Sequence, residues 1–281
     1  MIRIAVIAPS GAVDPENFAA LDQAVAASAV AGKVQITVHP ATRKASGHFA
    51  GTDAERLQSF LEVANSPDYD VIWALRGGYG SNRILGGLTA GLKKAAEGKT
   101  YLGFSDFGFV LAALHRQGFK RLAHAPMPVD ALKKDGGAGA IDRVLRFVTG
   151  DLSGLDRAVT PGPVPRFAFN VTVLRSMLGT PWMPDMTGAE LFLEDVGEYS
   201  YALDRSMWQL AESGLFRRVA GVRLGRFTAE MANVRPFGTS QPDLMAYWCV
   251  KGGARILGPA DIAHDADNKI VPFGVWSGGW S

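Results

Sequence analysis

Residues 100–108 read Thr100-Tyr101-Leu102-Gly103-Phe104-Ser105-Asp106-Phe107-Gly108. The apolar run up to Phe104 predicts a buried strand, and apolar residues at helical spacing from about Phe107 to Gln117 predict a helix immediately after it. A buried strand that turns straight into a helix is typical of parallel α/β sheets. The stretch therefore predicts an α/β fold with Ser105 at the turn between strand and helix.

The first half of the chain repeats this alternation. Strands are predicted at residues 2–8, 34–38 and 71–75, and helices at residues 17–31, 52–64 and 82–96. Strands that alternate with helices predict a mainly parallel sheet with helices on both faces. Ligands of such sheets bind beyond the carboxyl ends of the strands, which is where Ser105 lies.

A change of composition after Gly150 indicates a domain boundary. Residues 151–166 contain the stiff sequence Pro161-Gly162-Pro163-Val164-Pro165 and are predicted to form a linker. We therefore expect an amino-terminal α/β domain at residues 1–150 and a smaller carboxyl-terminal α/β domain at residues 167–281. Strands of the second domain are predicted at residues 191–193, 219–224, 255–257 and 270–276.

Composition and charge narrow the classes of function. The chain has 281 residues with 29 basic and 27 acidic side chains, and its net charge of +2 is too small to drive binding to nucleic acid or anionic membranes. The single cysteine, Cys249, excludes an intrachain disulfide and C-x-x-C motifs. The sequence has no run of 18 apolar residues and no secretory signal pattern. We expect a cytoplasmic protein that binds neither nucleic acid nor a membrane.

Ser105 is the candidate nucleophile. A tight turn from strand to helix lifts the serine hydroxyl out of the backbone and places the next backbone N–H and the positive end of the helix beside an oxyanion. The usual pattern is G-x-S-x-G, and here the second glycine, Gly108, comes one residue late. The motif alone is therefore weak, and a Ser-Asp helix cap is the structural alternative.

A serine nucleophile needs a base and a carboxylate that orients the base. Among five histidines, His124 and His264 both follow predicted strands, and spacing alone does not separate them. Glu194 ends an apolar strand and is a suitable orienting carboxylate, although Asp195 or Glu198 could fill the same role. The chain order Ser, Glu, His is one that α/β-hydrolases use.

A glycine-rich segment follows the third predicted strand and reads Arg76-Gly77-Gly78-Tyr79-Gly80. It lacks the lysine of the G-x-x-x-x-G-K-[ST] motif and the spacing of G-x-G-x-x-G, so nucleotide binding is not predicted. Glycines let backbone N–H groups approach a reacting carbonyl, so the segment is either an oxyanion hole or a simple tight turn.

Several blocks of the sequence together carry a resemblance to a known family. They are residues 7–11, 49–57, 76–85, 103–107, 179–184, 193–195 and the segment that ends at His264. Their joint order along nearly the whole chain is similar to that of the LD-carboxypeptidases of peptidase family S66. This family includes the muramoyltetrapeptide carboxypeptidases and the microcin C self-immunity peptidases.

The resemblance implies a triad of Ser105, His264 and Glu194, with the backbone N–H groups of Gly78 and Asp106 as the oxyanion hole. It also implies a serine carboxypeptidase that uses no cofactor and no metal and acts, as a homodimer, on a small peptide. The expected reaction releases a C-terminal D-amino acid, D-alanine from murein tetrapeptide, through an acyl-enzyme. Alternatives are hydrolysis of peptidyl or aminoacyl nucleotides by the same triad, and a non-catalytic protein that binds a small ligand.

Three departures from the family pattern bear on the substrate. Before Asn170, where a Gly-Gly pair is usual, this chain has Phe167-Ala168-Phe169. Ala263 replaces the glycine before His264, and His124 is an additional histidine. None of these departures removes a triad residue, so the predicted chemistry is unchanged. The bulk of Phe167 and Phe169 could reshape the substrate pocket.

Overall fold

The computed structural model describes residues 1–280 and contains two β-sheets flanked by helices. The strands are β1 (Ile2–Ile7), β2 (Val34–Val38), β3 (Val71–Ala74), β4 (Thr100–Gly103), β5 (Leu122–His124), β6 (Gly162–Asn170), β7 (Glu190–Val196), β8 (Gly221–Thr228), β9 (Ile256–Pro259), β10 (Val271–Pro272) and β11 (Gly274–Trp276). The helices are α1 (Glu16–Ala27), α2 (Asp53–Asn65), α3 (Leu85–Gly91), α4 (Gly108–Arg116), α5 (Gly137–Val148), α6 (Val171–Met177), α7 (Ser200–Glu212), α8 (Leu215–Arg218) and α9 (Gln241–Lys251). Within residues 1–280, no helix has the length and apolar character needed to cross a membrane.

The first sheet has the strand order β10-β5-β4-β3-β1-β2, and every neighbouring pair except β10 and β5 is parallel. Strands β3 and β4 are buried along their whole length, as strands are when helices cover both faces of a parallel sheet. The predicted mainly parallel sheet is therefore confirmed. Because β4 lies between β3 and β5, the segments that follow these three strands meet at one edge of the sheet.

The second sheet has the order β11-β6-β7-β8-β9, with β6 to β9 parallel and β11 antiparallel to β6. The smaller α/β unit predicted for the carboxyl-terminal part of the chain is thus present. Strand β6 begins at Gly162, inside the segment whose composition predicts a linker. Its pairing with β7 starts only at Arg166, so Pro163 and Pro165 interrupt no ladder on that side of the strand.

The chain returns to the first sheet near its end. After β9, residues 260–270 form a loop, and Val271 of β10 then pairs with His124 of β5 in antiparallel register. Gly274, at a φ of 91°, leads into β11, which pairs with β6 of the second sheet. Residues 270–276, predicted as one strand, are therefore divided between the two sheets.

One apolar core connects the two sheets. Phe169 of β6 packs against Phe273 with 5.2 Å between ring centroids, and both belong to the same buried cluster as Phe107 of the first sheet's strand-to-helix turn. A Cβ built on Gly108 would lie 3.2 Å from the Phe169 ring. Side chains of the second sheet therefore pack against the turn that carries Ser105.

Candidate active site

Ser105 lies at the carboxyl end of β4, as the first residue of a 3₁₀ turn at Ser105–Phe107 that runs into α4. Its φ is 58°, in the left-handed region that residues other than glycine rarely adopt. Such a conformation persists only when the surrounding structure imposes it, and it is frequent at catalytic positions. Ser105 is half-buried between the buried residues Phe104 and Asp106. The predicted tight turn at this serine is therefore present.

The glycine-rich loop after β3 packs directly on this turn. A Cβ built on Gly77 would lie 2.8 Å from Oγ of Ser105 and 3.1 Å from the backbone nitrogen of Asp106. Gly78 follows at a φ of 99° and is exposed. The two backbone segments that the resemblance assigns to an oxyanion hole, at Gly78 and Asp106, are thus neighbours.

The side chain of Asp106 holds three segments together. Its Oδ2 accepts hydrogen bonds from the Ser10 hydroxyl at 2.5 Å and from the Ser81 backbone N–H at 2.8 Å, and its backbone carbonyl accepts from the Ser81 hydroxyl at 2.7 Å. Asp106 is 2% exposed. The carboxylate therefore fixes the loop after β1 and the glycine-rich loop against the serine turn. The sequence pattern gives no sign of the part played by Ser10.

His264 and Glu194 form a hydrogen-bonded pair. Nδ1 of His264 lies 2.8 Å from Oε2 of Glu194, which is completely buried two residues before the end of β7. His264 stands in the loop after β9, with its side chain 18% exposed. A carboxylate accepts only from a protonated nitrogen, so Nδ1 carries the hydrogen and Nε2 of the neutral imidazole is left as the proton acceptor.

The same pair sets the pKa of His264. Burial works to lower this pKa, but the charge of Glu194, its hydrogen bond and the charge of Asp195 outweigh burial and raise it above the ordinary value of 6.5. The neighbouring carboxyl of Asp195 has its pKa raised to about 6, by burial first and by the charge of Glu194 second. Negative charge is thus concentrated behind the imidazole, where it stabilises a protonated His264.

The imidazole of His264 lies beside the serine turn. Its ring centroid is 4.7 Å from that of Phe104, the residue before Ser105. Among residues 1–280, no hydrogen bond joins the Ser105 hydroxyl to His264. Hydrogen bonds of this kind are often long or misaligned without substrate and tighten in the complex. The structure thus brings His264 to Glu194 by direct contact and to Ser105 through a shared neighbour.

His124, the other candidate base, is engaged elsewhere. It is 1% exposed, and its Nε2 lies 2.9 Å from Oδ1 of Asn268. Its ring packs on Phe104, with 5.1 Å between ring centroids. Burial lowers the pKa of His124. Oδ1 of Asn268 also accepts from the backbone N–H of Ala263, next to His264. His124 therefore supports the histidine loop, and nothing in the sequence pattern pointed to Asn268.

The alternative carboxylates also bind other groups. Asp195 accepts hydrogen bonds from the backbone and hydroxyl of Thr172, both at 3.0 Å, and from Asn170 at 3.3 Å. Glu198 lies 3.2 Å from the same Thr172 hydroxyl. Of the three acidic residues considered from the sequence, the one that contacts His264 is Glu194.

Basic side chains fasten the loop that carries His264. Nε and Nη2 of Arg226 donate to Asp265 at 2.6 and 2.7 Å. From the first sheet's side, Nη1 of Arg143 in α5 donates to the backbone carbonyls of Ala266 at 3.0 Å and Asn268 at 2.8 Å. The loop is therefore held from both halves of the molecule, which limits the positions that the imidazole can adopt.

Phe167 and Phe169 lie in the apolar core. Both are almost fully buried, and Phe167 packs edge-to-face on His115 at 5.0 Å and on Phe273 at 4.9 Å between ring centroids. Phe169 packs on Phe273 and Gly108. Their bulk therefore fills the core beneath the turn that carries Ser105. That it also reshapes the substrate pocket stays a prediction.

Two family models match the chain. The model of the LD-carboxypeptidase N-terminal domain matches residues 4–125, and that of the LD-carboxypeptidase C-terminal domain matches residues 167–277. The chain belongs to the LD-carboxypeptidase family. Membership agrees with the strand-to-helix turn at Ser105 and with the hydrogen bond between His264 and Glu194. The protein is therefore a serine-type carboxypeptidase, a hydrolase.

Individual LD-carboxypeptidase relatives extend over most of the chain. It is 31% identical over 242 residues to the murein tetrapeptide carboxypeptidase of Pseudomonas aeruginosa, which covers 80% of this chain and 76% of the relative. The crystal structure of muramoyltetrapeptide carboxypeptidase from Oxalobacter formigenes has a TM-score of 0.77 at 28% identity, covering 97% of this chain and 92% of that one. The microcin C7 self-immunity protein MccF, in complex with aspartyl sulfamoyl adenosine, has a TM-score of 0.78 at 18% identity, covering 97% and 91%. At that identity, MccF shares the fold alone.

Proposed function

We propose that this carboxypeptidase hydrolyses the bond between an L-configured residue and a C-terminal D-residue and releases D-alanine from murein tetrapeptide. The observation that carries the proposal is the buried Glu194–His264 pair beside the strained Ser105 turn. The identity to the murein tetrapeptide carboxypeptidase of Pseudomonas aeruginosa supports the choice of substrate.

In the proposed mechanism, Oγ of Ser105 attacks the scissile carbonyl carbon while Nε2 of His264 accepts the hydroxyl proton. Glu194 holds the imidazole and stabilises its protonated form. The tetrahedral intermediate collapses, the C–N bond breaks, and His264 returns the proton to the amine of the departing D-residue. Water then attacks the acyl-enzyme, His264 takes the water's proton and returns it to Ser105, and the shortened peptide leaves as a carboxylate.

The developing oxyanion needs hydrogen-bond donors in fixed positions. We assign this role to the backbone N–H groups of Gly78 and Asp106. The close packing of Gly77 on Ser105 and the buried hydrogen bonds of Asp106 support the assignment, because they hold both backbone segments before substrate arrives. Donors that need no rearrangement stabilise charge more effectively than mobile ones.

The proposal extends to organisation and location. We assign the nucleophile to a domain at residues 1–150 and the glutamate and histidine to a domain at residues 167–281, with residues 151–166 between them. From the family resemblance we also infer a homodimer, and we propose a cytoplasmic location. Size-exclusion chromatography with light scattering tests the dimer, and fractionation of the native host tests the location.

Mass spectrometry of murein tetrapeptide before and after incubation tests the proposed reaction. The wild-type protein is expected to produce tripeptide and D-alanine, and Ser105→Ala to lower kcat by about 10⁴-fold or more. Ser153→Ala, which changes an exposed serine, is the matched control and keeps wild-type activity. Tetrapeptide left intact by the wild type, or cleaved normally by Ser105→Ala, would refute the proposal. An aminoacyl-sulfamoyl adenylate is assayed in parallel, and its hydrolysis would support the alternative nucleotide substrate. Labelling of Ser105 by a serine-directed phosphonate would distinguish an enzyme from a non-catalytic binding protein.

A further inference from the structure

Arg76 is the first residue of the glycine-rich segment that follows β3, and its side chain packs against Gly11 and Gly78. Its guanidinium donates from Nη1 to the backbone carbonyl of Ala12 at 2.7 Å. A Cβ built on Gly11 would lie 3.4 Å from Nε of Arg76, and one built on Gly78 would lie 3.7 Å from Nη2 and 3.8 Å from Nε. The guanidinium therefore runs past two glycines, and its Nε–Nη2 edge lies against Gly78.

This guanidinium has a positive charge without a negative partner. Within residues 1–280, no carboxylate oxygen lies within 4.0 Å of Arg76. The carboxylate of Asp106, on the neighbouring turn, is instead taken up by Ser10 and Ser81. Arg76 is half-buried and Gly78 is exposed. Within residues 1–280 the guanidinium donates its one hydrogen bond from Nη1, so Nε and Nη2 are left to bind a ligand. The Nε–Nη2 edge is the one with which arginine binds a carboxylate through two parallel hydrogen bonds.

The geometry of a C-terminal substrate matches this position. The proposed oxyanion donor at Gly78 fixes the scissile carbonyl next to Arg76. In a C-terminal residue, the carboxylate carbon is separated from the scissile carbonyl carbon by one nitrogen and one Cα, a distance of about 3–4 Å. The terminal carboxylate of a bound substrate is thus within reach of the guanidinium that lies against Gly78.

We propose that Arg76 binds the free α-carboxylate of the residue that leaves, through Nε and Nη2, and so restricts the enzyme to C-terminal residues. The inference rests on the proposed carboxypeptidase function and deepens it, because it names the group by which the end of the peptide is recognised. A peptide that continues beyond the scissile bond, or ends in an amide, has no charge to offer Arg76. Arg76 is a binding residue in this scheme and takes no part in proton transfer.

The test compares murein tetrapeptide with the same peptide carrying a C-terminal amide, with the tripeptide product measured for both. The wild type is expected to prefer the acid by roughly 10- to 150-fold in kcat/KM, the range for hydrogen bonds to charged groups. Arg76→Gln should lose this preference, with a fall of the same size for the acid and less than about threefold for the amide. Arg76→Lys keeps the positive charge but cannot form two parallel hydrogen bonds, so its preference for the acid should lie between those of the wild type and Arg76→Gln. Arg43→Gln, which removes an exposed arginine that packs over Phe18, should leave both rates unchanged.

The outcomes separate this inference from the function on which it rests. A wild type that cleaves neither peptide overturns the carboxypeptidase function and the inference with it. A wild type that cleaves acid and amide equally well, or an Arg76→Gln variant that loses both activities equally or keeps the preference, overturns the role of Arg76 alone. Amide cleavage by Arg76→Gln also reports that the variant is folded, so a merely structural role would be recognised.

Discussion

Gly77 and Ser105 are packed together at the carboxyl edge of the first sheet: a methyl group on the Cα of Gly77 would lie 2.7 Å from Cβ and 2.8 Å from Oγ of the serine. Ser105 already adopts a φ of 58°. Rotation about χ1 can move the hydroxyl, but the backbone fixes Cβ, so relief of the 2.7 Å contact requires a change in the backbone of the turn. The contact makes residue 77 a sensitive probe of the nucleophile's position.

Gly77→Ala is expected to lower kcat at least tenfold, since Ser105 must move, and to lower the free energy of unfolding by about 1–3 kcal/mol, as overpacking does. Steady-state kinetics and urea unfolding measure the two effects. Gly86→Ala is the matched control, because a Cβ there meets no atom within 4 Å and the residue lies exposed in α3. Wild-type kcat for Gly77→Ala would mean that the contact does not constrain the nucleophile.

The pH dependence of kcat/KM should report the Glu194–His264 pair. His264 must be neutral to accept a proton, so activity is lost as pH falls through its pKa, and this acidic limb should lie above 6.5 because that pKa is raised. Glu194→Gln removes the charge and should move the limb to lower pH while kcat falls by roughly 10²- to 10⁴-fold. A limb unmoved by this substitution would show that another group titrates.

Matched phenylalanine variants of His264 and His124 should distinguish the roles of these two histidines. His264→Phe should abolish measurable turnover. His124→Phe keeps a buried aromatic ring but removes the donor to Asn268, and it should lower the free energy of unfolding by about 1–3 kcal/mol. Because Ala263 still donates to Asn268, we expect His124→Phe to keep at least a tenth of wild-type kcat. Equal loss of activity in both variants would make His124 a base candidate again.

Thiol reagents should leave the folded enzyme active. Cys249 is buried in α9, and burial raises the pKa of its thiol to about 12, so almost no thiolate is available at neutral pH. Iodoacetamide should add no mass to the native protein and one carbamidomethyl group to the protein in urea. Rapid alkylation of the native protein would contradict the burial of Cys249.

The Ser105 turn could be predicted from sequence because its determinants are local. A fully apolar strand and a helical spacing of apolar residues adjoin at residues 100–117, and the structure has β4, the turn and α4 there. The contact between Glu194 and His264 joins residues 70 positions apart in the sequence and has no such local signature. Sequence spacing did not distinguish His264 from His124 as the base, or Glu194 from Asp195 as the carboxylate. Only the family resemblance favoured His264 and Glu194.

The departures from the predicted fold also have physical causes. Pro163 and Pro165 suggest a linker, but they are tolerated in β6 because the ladder with β7 begins beyond them. The apolar run at residues 270–276 predicts one strand, whereas a positive φ at Gly274 turns the chain between two sheets. Local sequence encodes that these segments are extended, and tertiary contacts decide which neighbour each one pairs with.

The two-residue strand β10 has a consequence for how the molecule can be divided. It lies at the edge of the first sheet and pairs with β5. In the sequence, however, it comes almost 150 residues after β5, directly after the loop that carries His264. A polypeptide ending near residue 150 would leave β5 with an unpaired edge, a surface on which other strands associate. We expect such a half to aggregate when produced alone and to regain solubility and turnover together when its missing half is co-expressed, so that fragment complementation reports assembly and catalysis as a single event.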